Sequence, residues 1–119
     1  MKGCVAMDIL FKNGKIEKIC NNNKLAQKKY GYDTARKLIM RLDALKASEC
    51  LNDISHLPPP RLHSINKIKG ERVYGIVLAQ GYRMVIEVEN LKEFLDDDKK
   101  VDKRKVTRIV VCSVEDYHG

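Results

Sequence analysis

Three consecutive prolines, Pro58-Pro59-Pro60, divide the chain into two stretches with different hydrophobic periods. A proline run lacks amide hydrogens and has a fixed φ, so it continues neither a helix nor a central strand. On its amino-terminal side the apolar residues recur mostly at helical spacing. Leu38, Leu42 and Leu45 stand at i, i+4 and i+7, flanked by Ala35 and Ile39, and predict a core-facing stripe. Asp33 is the expected N-cap of that helix, and Lys37, Arg41 and Lys46 are expected on its outer face. Ile16, Ile19 and Cys20 predict a shorter helix from Lys15; Asn21-Asn22-Asn23 interrupts it and can cap a second one running to Tyr30, with Gly31 as its stop. Met7–Phe11 reads as a first strand ended by the Asn13-Gly14 turn, and Ala47–Leu57 as one more short helical segment.

After the prolines the period changes to two. Arg61–Ile65 is a short extended segment and Asn66–Gly70 a polar, basic turn. Glu71–Ala79 carries Val73, Tyr74, Ile76 and Val77, and Gln80-Gly81 makes a turn. Tyr82–Glu89 alternates, with Tyr82, Met84, Ile86 and Val88 on one face and Arg83, Val85, Glu87 and Glu89 on the other. Residues 90–105 are expected as an exposed connection with one helical turn at most, and Val106–Glu115 as the last strand. Helices followed by a run of strands indicate an α+β fold. The expectation is an antiparallel sheet of four to five strands, the first strand included, with the amino-terminal helices on one face.

At 119 residues the chain reads as one domain, 1–119, able to bury one core. Its formal net charge is +7, which favours polyanionic partners such as nucleic acid or the ribosome. No stretch approaches the ~20 apolar residues of a membrane span. Met1–Asp8 lacks the apolar stretch of a signal peptide, so a cytoplasmic location is expected. Cys4, Cys20, Cys50 and Cys112 lack the spacing of a zinc site and read as reduced thiols.

The residues able to do chemistry gather in the second half. Asp116-Tyr117-His118 follows the strand-like Ile109–Glu115 directly, setting acid, phenol and imidazole side by side. Imidazole, with an ordinary pKa of about 6.5, is the best proton-transfer group near neutrality. Arg83 interrupts an apolar strand and suits bidentate phosphate binding. His63 lies in an extended segment with Arg61, Lys67, Lys69 and Arg72 nearby, a patch suited to an RNA backbone. RNA cleavage by its own 2′-hydroxyl needs a base, an acid and a cation for the phosphorane, which this set can supply. There is no glycine-rich phosphate loop and no H-E-x-x-H motif; Asp96-Asp97-Asp98, flanked by Lys99-Lys100, reads as a solvated charge run. A reaction without metal or cofactor is therefore expected.

From about Met7 onward the chain resembles the RelE/HigB-type toxins of bacterial toxin–antitoxin pairs. The carrying segments are Met7–Phe11, Lys29-Tyr30-Gly31, Leu38…Leu42…Leu45, Arg61-Leu62-His63, the basic turn through Lys67 and Lys69-Gly70, Gly81–Glu87, and Val114–His118. The resemblance implies a compact RelE-like α+β toxin that enters the ribosomal A site and cuts mRNA without metal. It implies active-site histidines at His63 and His118, a phosphate-stabilising arginine at Arg83, supporting roles for Asp116 and Tyr117, and a basic turn residue at Lys67 or Lys69. The implied partners are the ribosome, mRNA and a helix-turn-helix antitoxin, through which alone the toxin meets operator DNA. The chain departs from the family at Val73-Tyr74, where a tryptophan is common, and in its long 90–105 connection. A toxin of the same fold acting on DNA gyrase, or an RNA-binding module without turnover, are the alternative expectations.

Overall fold

A computed structural model describes residues 6–66 and 72–117. Asparagine side chains start its two short helices. Asn13 Oδ1 accepts from the amide of Ile16 at 3.0 Å and opens α1 (Gly14–Cys20). Asn22 Oδ1 accepts from Leu25 at 3.2 Å and opens α2 (Asn23–Tyr30). Each cap satisfies an amide that the helix itself leaves without a partner. Gly31, at φ 90°, ends α2 and turns the chain into α3 (Tyr32–Ala47). Few residues other than glycine tolerate that φ. Asp33 therefore does not cap α3. It lies inside the first turn, where a negative charge still favours the helix dipole.

The leucine stripe of α3 is core, as its spacing implies: Leu38, Leu42 and Leu45 are buried with Ala35. Each fully buried leucine contributes about 1.5–3 kcal/mol relative to an exposed one. Arg41 corrects the helical-wheel reading. Unlike Lys37 and Lys46 it is buried, and its Nε donates to the Val77 carbonyl at 3.0 Å. Thr34 Oγ1 likewise donates to the Ala79 carbonyl at 3.0 Å. Two polar side chains on the buried face of α3 thus satisfy carbonyls where a strand leaves the sheet.

The expected helix over Ala47–Leu57 shrinks to a 3-10 turn at Leu51–Asp53. Ser48 Oγ donates to the Ala44 carbonyl at 2.7 Å at the end of α3. Leu51 is then drawn into the core and donates its amide to the Val106 carbonyl at 3.0 Å.

Among the described residues the sheet has five strands in the order β1-β5-β4-β3-β2. They are β1 (Asp8–Phe11), β2 (His63–Asn66), β3 (Val73–Val77), β4 (Tyr82–Glu87) and β5 (Arg108–Asp116). Strands β2 to β5 form an antiparallel meander, and β1 joins the same sheet parallel to β5. Gln80 (φ 57°) and Gly81 (φ 79°) make the turn between β3 and β4. Tyr74, Ile76, Met84, Ile86, Ile109 and Val111 face the helices in one continuous core. The chain is thus an α+β domain that, among the described residues, has three helices on one face of a mostly antiparallel sheet.

A bulge in β5 decides what the other face carries. Val85 is paired with Ser113 but Ile86 with Val111, so Cys112 has no opposite residue. Before the bulge the odd-numbered residues of β5, Ile109 and Val111, point into the core. After it Val114 packs on the core, and Ser113 and Glu115 point the other way. A single extra residue changes which side chains face outward.

The connection over 90–105 is more ordered than its charge suggests. It holds 3-10 turns at Lys92–Phe94 and Lys103–Lys105 and a bridge between Leu95 and Val101. Phe94 is 2% exposed, and Leu91 and Val101 pack beside the same core. Asp96 Oδ1 accepts from the amides of Asp98 (2.8 Å) and Lys100 (3.0 Å), so the acidic run is a turn around its first carboxylate. Among the described residues no helix is long and apolar enough to cross a membrane.

Candidate nucleic-acid interface

The side of the sheet away from the helices carries two of the predicted residues, His63 and Arg83, in two adjacent rows. His63, Gly75, Val85 and Ser113 lie opposite one another across β2, β3, β4 and β5. Val77, Arg83 and Glu115 form the next row. Side chains two residues apart on a strand share a face, about 7 Å apart along the strand, and neighbouring strands lie about 5 Å apart. These spacings set the Cα atoms of His63 and Arg83 on the order of 12 Å apart. The guanidinium of Arg83 leans toward Glu115 of β5 and Tyr117, on the side of β4 away from β2.

His63 is held by its surroundings. Its Nδ1 lies 2.7 Å from the Arg61 carbonyl. A carbonyl only accepts, so Nδ1 carries the proton and Nε2 is the proton acceptor of the neutral ring. Arg61 has φ 46°, an uncommon conformation for a side-chain-bearing residue, and the turn it makes brings its carbonyl back to the ring. Beneath the ring lies Gly75. A Cβ there would sit 2.9 Å from both Cε1 and Nε2 of His63 and 3.0 Å from Cδ1 of Ile65. Gly75→Ala is expected to push the imidazole off the sheet, break its bond to Arg61 and cost about 1–3 kcal/mol of stability. Imidazole nitrogen and proton resonances would show this directly; an unchanged His63 spectrum would disprove the close packing.

Arg83 sits in the second row. Its guanidinium carbon lies 5.3 Å from the centre of the Tyr117 ring. Its Nη2 lies 3.8 Å from Oε1 of Glu115, whose Oε2 accepts from Ser113 Oγ at 3.1 Å. Glu115 is half exposed, so this long ion pair is worth at most about 1 kcal/mol. The Nε of Arg83 is buried and finds no acceptor among the described residues. Buried donors without a partner are rare, and they mark strain or a ligand's place. The Tyr117 amide donates to the Gly81 carbonyl at 3.0 Å, which ties the chain beyond β5 to the β3–β4 turn.

The acid and the phenol do not share a face. Asp116 is registered with Tyr82, one step from the Arg83–Glu115 pair, so its Cβ points to the helix side while Tyr117 turns back to Arg83. His118, Lys67 and Lys69 lie outside the described residues. Arg72 precedes β3, where its carbonyl accepts from Val88 at 2.8 Å, and Arg61 is exposed beside His63. Gly75, Ser113 and Glu115 complete the surface and are absent from the sequence-based set. The pairing of Glu115 with Arg83 depends on the bulge, and no sequence pattern announces it.

Among the described residues no group of three or more His, Cys, Asp or Glu is placed to hold a metal. Cys20, Cys50 and Cys112 are free thiols, and burial pushes the Cys20 thiol up to about 11. Comparisons with family models, with curated proteins and with solved structures return no match for this chain.

Proposed function

We propose that the chain is a ribosome-dependent mRNA endonuclease of the RelE/HigB type, the toxin of a toxin–antitoxin pair that works in the cytoplasm. The observation that carries this reading is the shared face of His63 and Arg83. A hydrogen-bonded imidazole and a guanidinium with an unmet buried donor stand on the same face of one sheet, two strands apart. The net charge of +7 supports attraction to RNA.

In this reading a phosphate of the message takes the place of Glu115 against Arg83, exchanging a weak pair for a charge-assisted, bidentate one. Tyr117 stacks on the guanidinium and limits its motion. His63, with its proton on Nδ1, uses Nε2 to take the proton of the attacking 2′-hydroxyl. The 2′-oxygen closes on the phosphorus, the 5′-oxygen leaves, and His118 supplies its proton. Arg83 stabilises the added charge on the pentavalent phosphorus. Asp116 and Tyr117 shape the site around His118, and Arg61, Arg72 and the lysines at 67 and 69 hold the RNA backbone.

Expression of the chain is then expected to arrest bacterial growth, and His118→Ala is expected to restore growth while the variant accumulates as folded protein. Undiminished arrest by that variant would remove His118 from the mechanism. Arrest accompanied by DNA damage and intact message would favour a gyrase-directed toxin instead.

A further inference from the structure

On the helix side of β3, behind the proposed RNA face, there is a cavity of about 220 Å³. Ala44, Ile54, Pro60 and Ile76 give it apolar walls, and Arg41, Asp53 and Ser55 its polar groups. Arg41 is 8% exposed. Its Nε is committed to the Val77 carbonyl at 3.0 Å, and its two Nη groups, which are not among the fully enclosed polar atoms without a partner, are left to face the cavity. The ion pairs found among the described residues, Arg83–Glu115, Arg104–Asp102 and Arg108–Glu89, do not include it.

A guanidinium remains charged even when buried, and a buried charge without a counter-charge is costly. Burial accordingly pushes the Arg41 group below its usual value. Asp53 does not answer this charge. It is exposed, and its Oδ2 already accepts from the amides of Glu49 (2.9 Å) and Cys50 (3.4 Å). It therefore stands with Ser55 at the mouth, while Arg41, Ile54 and Ile76 form the buried end. A cation without an ion pair among the described residues, beside aliphatic walls, matches an anion with a short apolar body. The volume is below the ~300 Å³ of common small-molecule pockets, so the ligand is small.

We propose that this cavity binds a small organic carboxylate, with its carboxylate on the Nη groups of Arg41 and its alkyl part against Ile54 and Ile76. Val77 links it to the opposite face: its carbonyl holds Arg41, its amide donates to the Pro60 carbonyl at 2.7 Å, and it is the register partner of Arg83. The proposal is independent of RNA cleavage and is tested without it.

The test is an NMR titration of the full chain with butyrate, acetate and inorganic phosphate, each to about 20 mM, which covers millimolar dissociation constants. Butyrate is expected to give saturable shifts at the Arg41 Nε–H and at the Ile54, Ser55 and Ile76 amides, and to bind more tightly than acetate or phosphate. Arg41→Met is expected to abolish these shifts. Ala44→Leu fills the cavity from an exposed position, leaves the Arg41–Val77 bond in place, and is expected to abolish them too; it decides the matter if Arg41→Met fails to fold. Absence of saturable shifts, shifts that persist in Ala44→Leu or in folded Arg41→Met, or phosphate binding as tight as butyrate would overturn the assignment.

Discussion

Arg83→Ala is expected to slow mRNA cleavage by a factor of about 10²–10³, the usual loss when one group stabilising transition-state charge is removed. The side chain lies on the outward face of the sheet, and its ion pair with Glu115 is long and half exposed. Its removal should therefore change stability by less than about 1 kcal/mol. The two effects separate cleanly. A single-turnover rate on programmed ribosomes reads the first, and a melting temperature the second. Arg83→Lys keeps the charge but loses the flat fork that stacks on Tyr117, so an intermediate rate is expected. A rate in Arg83→Ala within twofold of the parent would remove Arg83 from the reaction.

Phe94→Ala is expected to have the largest effect on stability, about 3–5 kcal/mol. Phe94 is the largest fully buried side chain among the described residues, yet it comes from the connection between β4 and β5. Its backbone is fixed as well, since its amide donates to Leu91 at 2.9 Å and its carbonyl accepts from Asp102 at 2.9 Å. Truncation leaves a cavity that this braced turn cannot close. For a domain of this size each kcal/mol lowers the melting temperature by a few degrees, so a fall of 10 °C or more is expected, on the order of ~4 °C per kcal/mol. Urea denaturation should show a lower midpoint at unchanged slope. A loss under about 1 kcal/mol would mean that the 90–105 connection opens without disturbing the core.

Those two residues mark what the sequence made visible and what it hid. The place of Arg83 on the outward face of β4 was legible because a charge breaks a clean alternation, Tyr82-Met84-Ile86-Val88 against Arg83-Val85-Glu87. The asparagine caps at Asn13 and Asn22, the Gly31 stop and the Gln80-Gly81 turn were equally legible, because each depends on local backbone chemistry. Phe94 was obscured by the acidic run that follows it, which composition alone assigns to solvent. Arg41 was obscured because a helical wheel counts charge and has no knowledge of a strand carbonyl needing a donor. The cluster of Ser113 and Glu115 beside Arg83 was hidden most deeply. It exists only because Cys112 bulges out of β5, and a bulge leaves no mark in a run such as Val110-Val111-Cys112-Ser113. Asp116 and Tyr117 lie on opposite faces because neighbouring residues of an extended chain alternate.

The central claim is that this sheet face cuts messenger RNA on the ribosome. The measurement that addresses it most directly is mapping mRNA 5′ ends in a translating extract after a brief exposure to the protein, with Arg83→Ala run in parallel. New 5′-hydroxyl ends within codons, dependent on active translation, formed in the presence of a chelator and missing with Arg83→Ala, are the predicted result. Intact message under full translation arrest, or an equal pattern of cuts with Arg83→Ala, would contradict the account.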